Sequence, residues 1–428
     1  MTLAQYPPMG WNSWDCCGAA VTEDTVRQNA EYMAKHLKAF GWEYIVIDIQ
    51  WSQPTARTHS YEPFAELIMD GYGRLLPAPN RFPSAAGGNG FKPLADYIHS
   101  LGLKFGIHIM RGLPRMAAHR RLPIAGSGYT CNEAADPNSI CAWNPDMYGL
   151  RSGHPGAKDY YDSIFRLYAQ WGVDFIKCDD IAREYPHCER EIELISSAAR
   201  SCGRDIVLSL SPGPAPLERA EHLKTYANMW RITDDFWDEW RMLKAMFERA
   251  EKWCIHAGPG HWPDADMLPV GAIRQCYEND GEDPYPGKIS RRGWTQFTQA
   301  EQQTMLTLWC MIRSPLMIGG DLTKNDDFTL SLLTNGPLLD IEKKSFCAHP
   351  LYTTDKESVW IAPRADGKGC FTAAFNLSEE RRTVVVDPAE IGCGAFSAVE
   401  LWSRRRCDDL SAVLLQHGAA VWHMEYVR

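Results

Sequence analysis

The chain has 428 residues, of which 45% are hydrophobic and 23% are charged, a composition typical of a globular protein with one large or two smaller domains. Its formal net charge of −10 argues against nucleic acid or an anionic membrane surface as the main partner. No apolar run approaches the ~18 residues of a transmembrane helix, and the N-terminal stretch lacks the basic start and apolar region of a signal peptide. We therefore expect a cytoplasmic protein.

Strands and helices alternate along the first part of the chain. The first strand is predicted at 9–14, and a helix follows over 22–40, with Thr22 as its N-cap and Gly41 as its stop. Further helices are predicted at 91–100 and 157–171. The other predicted strands lie at 44–51, 104–110, 174–179, 206–211, 229–233, 253–257 and 316–319. Eight strands alternating with helices predict a (β/α)8 TIM barrel.

The barrel is expected to occupy residues 1–340, and the composition changes after that point. Residues 341–428 contain short β-rich runs separated by turn residues, which predict a C-terminal antiparallel β-sandwich domain. The long loops 52–90 and 111–157 are rich in aromatic residues, Pro and Gly, so we interpret them as walls of a pocket.

The 14 cysteines are scattered, without the C-x-x-C spacing of a structural zinc site. We therefore expect no metal and mostly buried, reduced thiols. Cys131 and Cys141 share one loop and could pair in an oxidising compartment.

Three apolar runs end in carboxylates: YIVIDIQW at 44–51, DFIKCDD at 174–180 and MWRITDDFWDEW at 229–240. The carboxyl ends of barrel strands converge on one pocket, so these acids are expected to meet there. Asp179 and Asp235 are the candidates for a glycosidase pair.

Each of these two acids also has an ordinary structural interpretation. Lys177 shares a strand face with Asp179 and would keep that carboxylate ionised, although the pair could equally be a salt bridge at the barrel rim. Burial against Phe236 and Trp237 would raise the pKa of one acid near Asp235, as a general acid requires. The alternative is a solvated acidic loop.

Eight motifs extend these observations: PPMGWNSWD at 7–15, YIVIDIQW, DGYGRLLPAPNRFPS at 70–84, GLKFGIHI at 102–109, WGVDFIKCDD at 171–180, MWRITDD at 229–235, DADMLPVG at 264–271 and RSPLMIGGDL at 313–322. In content and order the chain resembles the α-galactosidase family, glycoside hydrolase family 27, from the barrel into the β-rich tail. The resemblance implies a retaining exo-glycosidase that needs no cofactor or metal. It implies Asp179 as the nucleophile and Asp235 as the acid/base.

The same resemblance implies a set of sugar ligands. Trp14 would lie under the apolar face of the sugar, and Asp48 would bind hydroxyls on the C4/C6 side. Lys177 would bind O3 and O4, while Arg231 and Asp266 would serve the C2 side. The partner is thus expected to be a small oligosaccharide or glycoside.

Three departures from the family pattern bear on the sugar, and a fourth, at Ile181, removes a cystine that often follows the nucleophile. Ile49 replaces the second of two Asp after the second strand, and His108 replaces a Tyr after the third. Ser211 stands where galactosidases often have a Glu that reads the C2 substituent, and Ile181 replaces a Cys. Ile49 favours β-L-arabinopyranosides, with weaker activity on α-D-galactosides, because arabinopyranose lacks the C6 hydroxymethyl group. Alternation along the strand could instead turn Ile49 to the side opposite Asp48, and the chain would then be an α-galactosidase proper. The small Ser211 leaves α-N-acetylgalactosaminides as a further alternative.

Two rival functions stay open on the residues alone. Lys177 at a barrel strand end could form a Schiff base in an aldolase, and the fold could serve a carbohydrate-binding pseudoenzyme. The sequence also leaves a homo-oligomer open, and it does not specify the aglycone or linkage.

Overall fold

A computed structural model describes residues 2–60, 62–276, 293–392 and 395–427. Its centre is a ring of eight parallel strands, labelled β1 to β8 in chain order: Met9–Asn12, Tyr44–Ile47, Lys104–Met110, Phe175–Asp179, Val207–Leu210, Met229–Arg231, Trp262–Asp264 and Leu316–Ile318. Strand β8 pairs with β1. On its other side it meets the segment after β7, where the Leu268 amide donates to the Met317 carbonyl at 2.7 Å. The predicted TIM-type barrel is confirmed.

Helices surround the barrel with their apolar faces inward. The α-helices of the described residues span Trp14–Cys17, Glu23–Tyr32, Lys92–Ser100, Arg115–His119, Cys131–Ala134, Pro155–Trp171, Glu189–Ser201, Ala220–Tyr226, Trp240–Trp253, Gln299–Ile312, Asp327–Leu333, Gly336–Leu339 and Ile341–Lys344. None of them is both long and apolar enough to cross a membrane.

The predicted helix at 22–40 is present, although its later part is not a regular α-helix. The Thr22 side chain caps its start by accepting a hydrogen bond from the Thr25 amide. After Tyr32 the chain continues as a π-helical segment, Met33–Leu37, and a 3-10 turn, Lys38–Phe40. Gly41 ends the helix in the left-handed conformation, with φ of 104°.

The prediction of a strand at 253–257 is wrong. Trp253 ends the helix Trp240–Trp253, and Cys254–His256 is a 3-10 turn. The apolar residues there continue a helical pattern in which Leu243, Phe247 and Ala250 are also buried. The seventh strand is Trp262–Asp264, whose three residues include a proline and carry too little pattern to be recognised.

The loop after β3 forms a small three-stranded sheet of Leu113–Pro114, Ala135–Ile140 and Met147–Leu150. Cys131 and Cys141, at its two ends, are buried thiols and not a disulfide.

The C-terminal segment consists of antiparallel strands, labelled β9 to β16: His349–Thr353, Glu357–Pro363, Gly369–Asn376, Arg382–Val385, Phe396–Glu400, Arg406–Cys407, Ser411–Leu414 and Ala419–Tyr426. Six of them form one sheet, and β12 and β15 form a second sheet. Buried residues such as Val359, Val384 and Trp422 fill the space between the two sheets, as expected for a sandwich. The other face of the larger sheet packs on the barrel, where the rings of Phe247 and Phe375 lie 4.9 Å apart. The domain boundary at residue 340 stays a prediction.

His417 joins the barrel to the C-terminal sheet. Its ring stacks on Trp240 at 3.6 Å, and its Nδ1 lies 2.7 Å from a carboxylate oxygen of the buried Glu301. Replacing His417 with Ala should lower the free energy of unfolding by about 2–4 kcal/mol, because the buried Glu301 loses the partner of its Oε1 and Trp240 loses its stacked ring. Urea denaturation measures this, with the exposed His349→Ala as the control. A decrease in the free energy of unfolding below about 0.5 kcal/mol would show that the contact does not stabilise the protein.

Candidate active site

A cavity of about 250 Å³ opens at the carboxyl ends of the barrel strands. It is lined by eight of the predicted site residues: Trp14, Asp48, Ile49, Lys177, Asp179, Arg231, Asp235 and Asp266. His108 and Ser211, the other two, lie beneath its floor and are almost completely buried. The sequence thus identified residues that the fold brings together, although they are far apart along the chain.

Asp179 ends β4, and both of its carboxylate oxygens are held in place. His108 Nε2 lies 3.0 Å from Oδ2, and the Ser211 hydroxyl donates to Oδ1 at 3.0 Å. The Asp180 amide also donates to Oδ1, at 3.1 Å. Burial alone would raise the pKa of Asp179, but the His108 contact, the Lys177 charge and the Ser211 hydroxyl outweigh it and hold the pKa well below its usual value. Asp179 is therefore a fixed anion.

Lys177 contacts Asp48 directly instead of Asp179. Its Nζ donates to Asp48 Oδ2 at 2.8 Å, and the Asn12 side-chain amide donates to the same oxygen at 2.8 Å. Burial would raise the pKa of Asp48, but Lys177 and the Ile49 amide help to lower it below its usual value. The sequence prediction that Lys177 keeps Asp179 ionised therefore holds only at longer range, because His108 and Ser211 make the direct contacts.

Arg231 binds two carboxylates at once. One of its terminal nitrogens, Nη2, donates to Asp235 Oδ1 at 2.8 Å and to Asp266 Oδ2 at 2.6 Å. Asp266 also accepts the Phe236 amide at 2.7 Å. The guanidinium thus links the candidate acid/base to a buried acid.

The burial expected for an acid near Asp235 against Phe236 and Trp237 is not found at Asp235, and the buried acid beside it is Asp266, which comes from another part of the chain. The Asp235 side chain is 61% exposed, while the neighbouring Phe236 is buried. Asp266 is 5% exposed. Burial raises its pKa to about 7, against the opposing effect of Arg231, and the carboxylates of Asp235 and Asp264 add to the rise.

Ile49 lies against the cavity and packs with Met110, Cys141 and Met147. Trp143 adjoins this group and also lines the cavity. We call these five residues the apolar wall. Strict alternation along a strand would place Ile49 on the side opposite Asp48. Strand β2 ends at Ile47, so this alternation does not apply to the two residues, and both line the cavity. One side of the cavity therefore presents the apolar side chains of Ile49 and Trp143 next to the Asp48 carboxylate, with Met110, Cys141 and Met147 packed behind Ile49.

Sequence reasoning missed several residues of the site. Those lining the cavity are Asp15, Trp143, Arg183, Pro212, Asp234, Phe236, Trp237 and Met267, and Asn12 lies below. Asn12 and Asp15 stand inside the motif GWNSWD that also holds Trp14, so position in the motif was an available signal. Trp143 comes from a long loop, and its place in the pocket depends on how that loop folds back.

Within the described ranges, no three His, Cys, Asp or Glu side chains are grouped as a metal site. The charged groups that line the cavity include its carboxylates, Lys177 and Arg231.

The buried Asp266 should make stability depend on pH. Its pKa rises from a usual 3.8 to about 7, so the folded protein binds a proton that the unfolded chain releases between those values. The free energy of unfolding contributed by this group should fall as the pH rises from about 4 to about 7 and then level off.

Asp266→Asn removes that contribution, so the stability of wild type relative to the variant should decline over the same window. Urea denaturation of both proteins at several pH values between about 4 and about 8 measures it. Parallel curves would mean that Asp266 stays ionised beside Arg231 throughout.

Comparison with known proteins agrees with this geometry. A family model described as alpha galactosidase A matches residues 6–150 and 146–281. The alpha-galactosidase of Cyamopsis tetragonoloba is 28% identical over 94% of this chain and 80% of its own length. A solved family 27 β-L-arabinopyranosidase from Geobacillus stearothermophilus has a TM-score of 0.94 and 52% identity, covering 99% of this chain and 97% of that chain. A variant of that enzyme, in complex with arabinose, has a TM-score of 0.94 and 51% identity, with coverage of 100% and 98%. This chain belongs to the α-galactosidase family, glycoside hydrolase family 27, and is a retaining glycosidase.

Proposed function

We propose that the chain removes terminal β-L-arabinopyranosyl groups, and more weakly the stereochemically equivalent α-D-galactosyl groups, from small glycosides. The observation that carries the proposal is Ile49 in the apolar wall, beside the Asp48 carboxylate. The similar enzyme from Geobacillus stearothermophilus, a β-L-arabinopyranosidase, adds support.

Asp179 is the proposed nucleophile. Its oxygens are oriented by His108 and Ser211, and its low pKa keeps it anionic. One of its oxygens attacks the anomeric carbon as the bond to the leaving oxygen breaks, which gives a covalent glycosyl-enzyme. A carboxylate that is already ionised and fixed needs little reorganisation for this step.

Asp235 is the proposed acid/base. It protonates the leaving oxygen in the first step and takes a proton from water in the second, so that the product keeps the configuration of the substrate. Its exposure suits a group that must meet both an aglycone and water. The contact with Arg231 holds it at the rim of the cavity, and Arg231 is shared with Asp266.

The remaining polar groups are proposed to bind the sugar. Trp14 offers an aromatic face to the apolar side of the ring, and Asp48 and Lys177 form one charged pair at the cavity that can bind neighbouring hydroxyls. Arg231 and Asp266 form a second group on the side of Asp235.

The apolar wall supports the preference for arabinopyranoside. A galactose C6 hydroxyl placed against Ile49 would lose water without gaining a partner, at a cost of about 1–3 kcal/mol. Arabinopyranose has only hydrogens at C5 and avoids this cost. An α-N-acetylgalactosaminide gains no such support, because Ser211 lies below the cavity and its hydroxyl is committed to Asp179.

The aldolase alternative is weakened by the state of Lys177. Burial would lower its pKa, but Asp48 and Asp179 outweigh burial and raise the pKa above its usual value. A Schiff base requires a neutral amine, which this environment opposes.

The proposal is tested by comparing three nitrophenyl glycosides at the same enzyme concentration: the β-L-arabinopyranoside, the α-D-galactoside and the α-N-acetylgalactosaminide. We expect the highest kcat/KM for the first, a lower value for the second and the lowest for the third. A higher kcat/KM for the galactoside would refute the sugar preference, and inactivity on all three would favour a pseudoenzyme.

We also propose a cytoplasmic location, supported by buried thiols such as Cys131 and Cys141 that share a loop without forming a disulfide. Cell fractionation tests it, and recovery outside the cytoplasm would refute it. A homo-oligomer stays a prediction.

A further inference from the structure

The carboxyl group of Asp15 occupies the space beside Gly319, the residue that follows strand β8 and has no side chain. Along β8, Met317 lies with the residues inside the barrel, and Gly319, two residues later, is on the same side. A Cβ atom built on Gly319 would lie 1.9 Å from Asp15 Oδ2. The Asp15 carboxyl therefore fills the position of the missing side chain, in the ring of groups at the carboxyl ends of the strands.

The Asp15 carboxyl group lines the cavity, and it differs from the neighbouring carboxyl groups in the hydrogen bonds that it accepts. Asp48, Asp179 and Asp266 each accept two or more hydrogen bonds from described residues. Asp15 is 3% exposed, and its Oδ2 has no hydrogen-bond partner among the residues that the structure describes. A buried oxygen without a partner is costly, and a ligand hydroxyl in the cavity that Asp15 lines would supply the missing partner.

The surroundings of Asp15 favour its neutral form. Burial raises its pKa well above the usual value, and Asp266 adds to the rise, while Arg274 and Lys177 oppose it. A neutral carboxyl group carries an O–H donor as well as an acceptor, so it can pair with a sugar hydroxyl in either direction.

We propose that Asp15 is a direct sugar ligand, which hydrogen-bonds one ring hydroxyl of the glycone. The inference rests on the proposed function only in that the cavity takes a pyranose. Arabinopyranose and galactopyranose in the relevant anomers share their configuration at C2, C3 and C4, so the inference can be tested with either sugar.

The experiment measures inhibition constants of the methyl glycoside and of its 2-, 3- and 4-deoxy analogues. These compete against whichever nitrophenyl glycoside the wild type hydrolyses, in the corresponding sugar series. If that sugar is galactose, the proposed preference fails while the test of Asp15 still runs.

Asp15→Leu should weaken binding of the parent glycoside by about 10- to 100-fold, while Asp15→Asn, which keeps a donor, should stay within about threefold of wild type. The loss in Asp15→Leu should disappear for one deoxy analogue, the one without the hydroxyl that Asp15 binds. Gly319→Ala should behave like Asp15→Leu because its methyl group displaces the carboxyl, and Gly71→Ala, with nothing within 4 Å of the added atom, is the matched control.

A loss of equal size for all four ligands, or no loss in Asp15→Leu, would overturn the proposal, because either result indicates a structural role alone. A second measurement does not depend on those variants folding. In crystals of Asp179→Ala with the methyl glycoside, a sugar hydroxyl within about 3.2 Å of an Asp15 oxygen supports the proposal. The absence of such a contact overturns it.

Discussion

Replacing Asp179 with Ala is expected to lower kcat/KM by at least about a thousandfold, with the fold intact, because the substitution removes the fixed carboxylate that attacks the anomeric carbon. Asp235→Ala should cost a similar factor on glycosides with poor leaving groups, such as the methyl glycosides, and much less on dinitrophenyl glycosides, whose leaving group departs without a proton. Thermal unfolding verifies that both variants are folded. The exposed Asp205→Ala serves as a surface control.

The two roles can be separated by adding azide. With Asp179→Gly, azide enters the space left by the carboxylate and gives a glycosyl azide of inverted configuration. With Asp235→Gly, azide attacks the glycosyl-enzyme and gives the retained configuration. The reverse pattern of products would exchange the two assignments, and full activity in either variant would refute that assignment.

Asp234 provides a matched control for Asp235. The two neighbours have almost the same side-chain exposure, 62% and 61%, but Asp234 pairs with Arg183. Asp234→Ala should retain activity within about tenfold of wild type. If both substitutions had the same small effect, the segment would be the solvated acidic loop that the sequence also allowed.

The second large effect is expected at Ile49. Ile49→Asp should raise kcat/KM for the α-D-galactoside relative to the β-L-arabinopyranoside by about tenfold or more, because a carboxylate beside Asp48 can accept the C6 hydroxyl. The wild-type side chain instead gives that hydroxyl no partner, at a cost of about 1–3 kcal/mol. Steady-state kinetics on both nitrophenyl glycosides measure the ratio.

Ile49→Leu is the control for this change, since it keeps an apolar side chain of the same volume in the wall with Met110 and Met147. The preference for arabinopyranoside should survive in that variant. If the ratio of the two kcat/KM values is unchanged in Ile49→Asp, the apolar wall does not discriminate between substituents at C5.

Sequence reasoning succeeded where local pattern and chemistry coincide. Apolar runs that end in Asp48 and Asp179 predicted both the strands and the direction of the carboxylates, because parallel strands of a barrel end at one face. The first helix was predicted from its cap at Thr22 and its stop at Gly41, which are local features.

It failed where the outcome depends on contacts between distant segments. The exposure of Asp235 and the burial of Asp266 depend on how distant segments pack together, and no spacing within 229–240 encodes that. His108 and Ser211 were read as sugar-facing substitutions, yet they contact Asp179 from neighbouring strands. The seventh strand was misassigned because three residues with a proline carry less signal than the end of an amphipathic helix.

One measurement tests the central claim most directly: the covalent intermediate of Asp235→Ala. This variant is incubated with an equal mixture of the dinitrophenyl β-L-arabinopyranoside and α-D-galactoside, whose leaving groups depart without an acid while the base for deglycosylation is missing. Intact-protein mass spectrometry then identifies the sugar, and peptide mapping locates it. We predict a pentosyl group on Asp179. A hexosyl adduct in excess, a sugar on another residue, or no adduct would contradict the account.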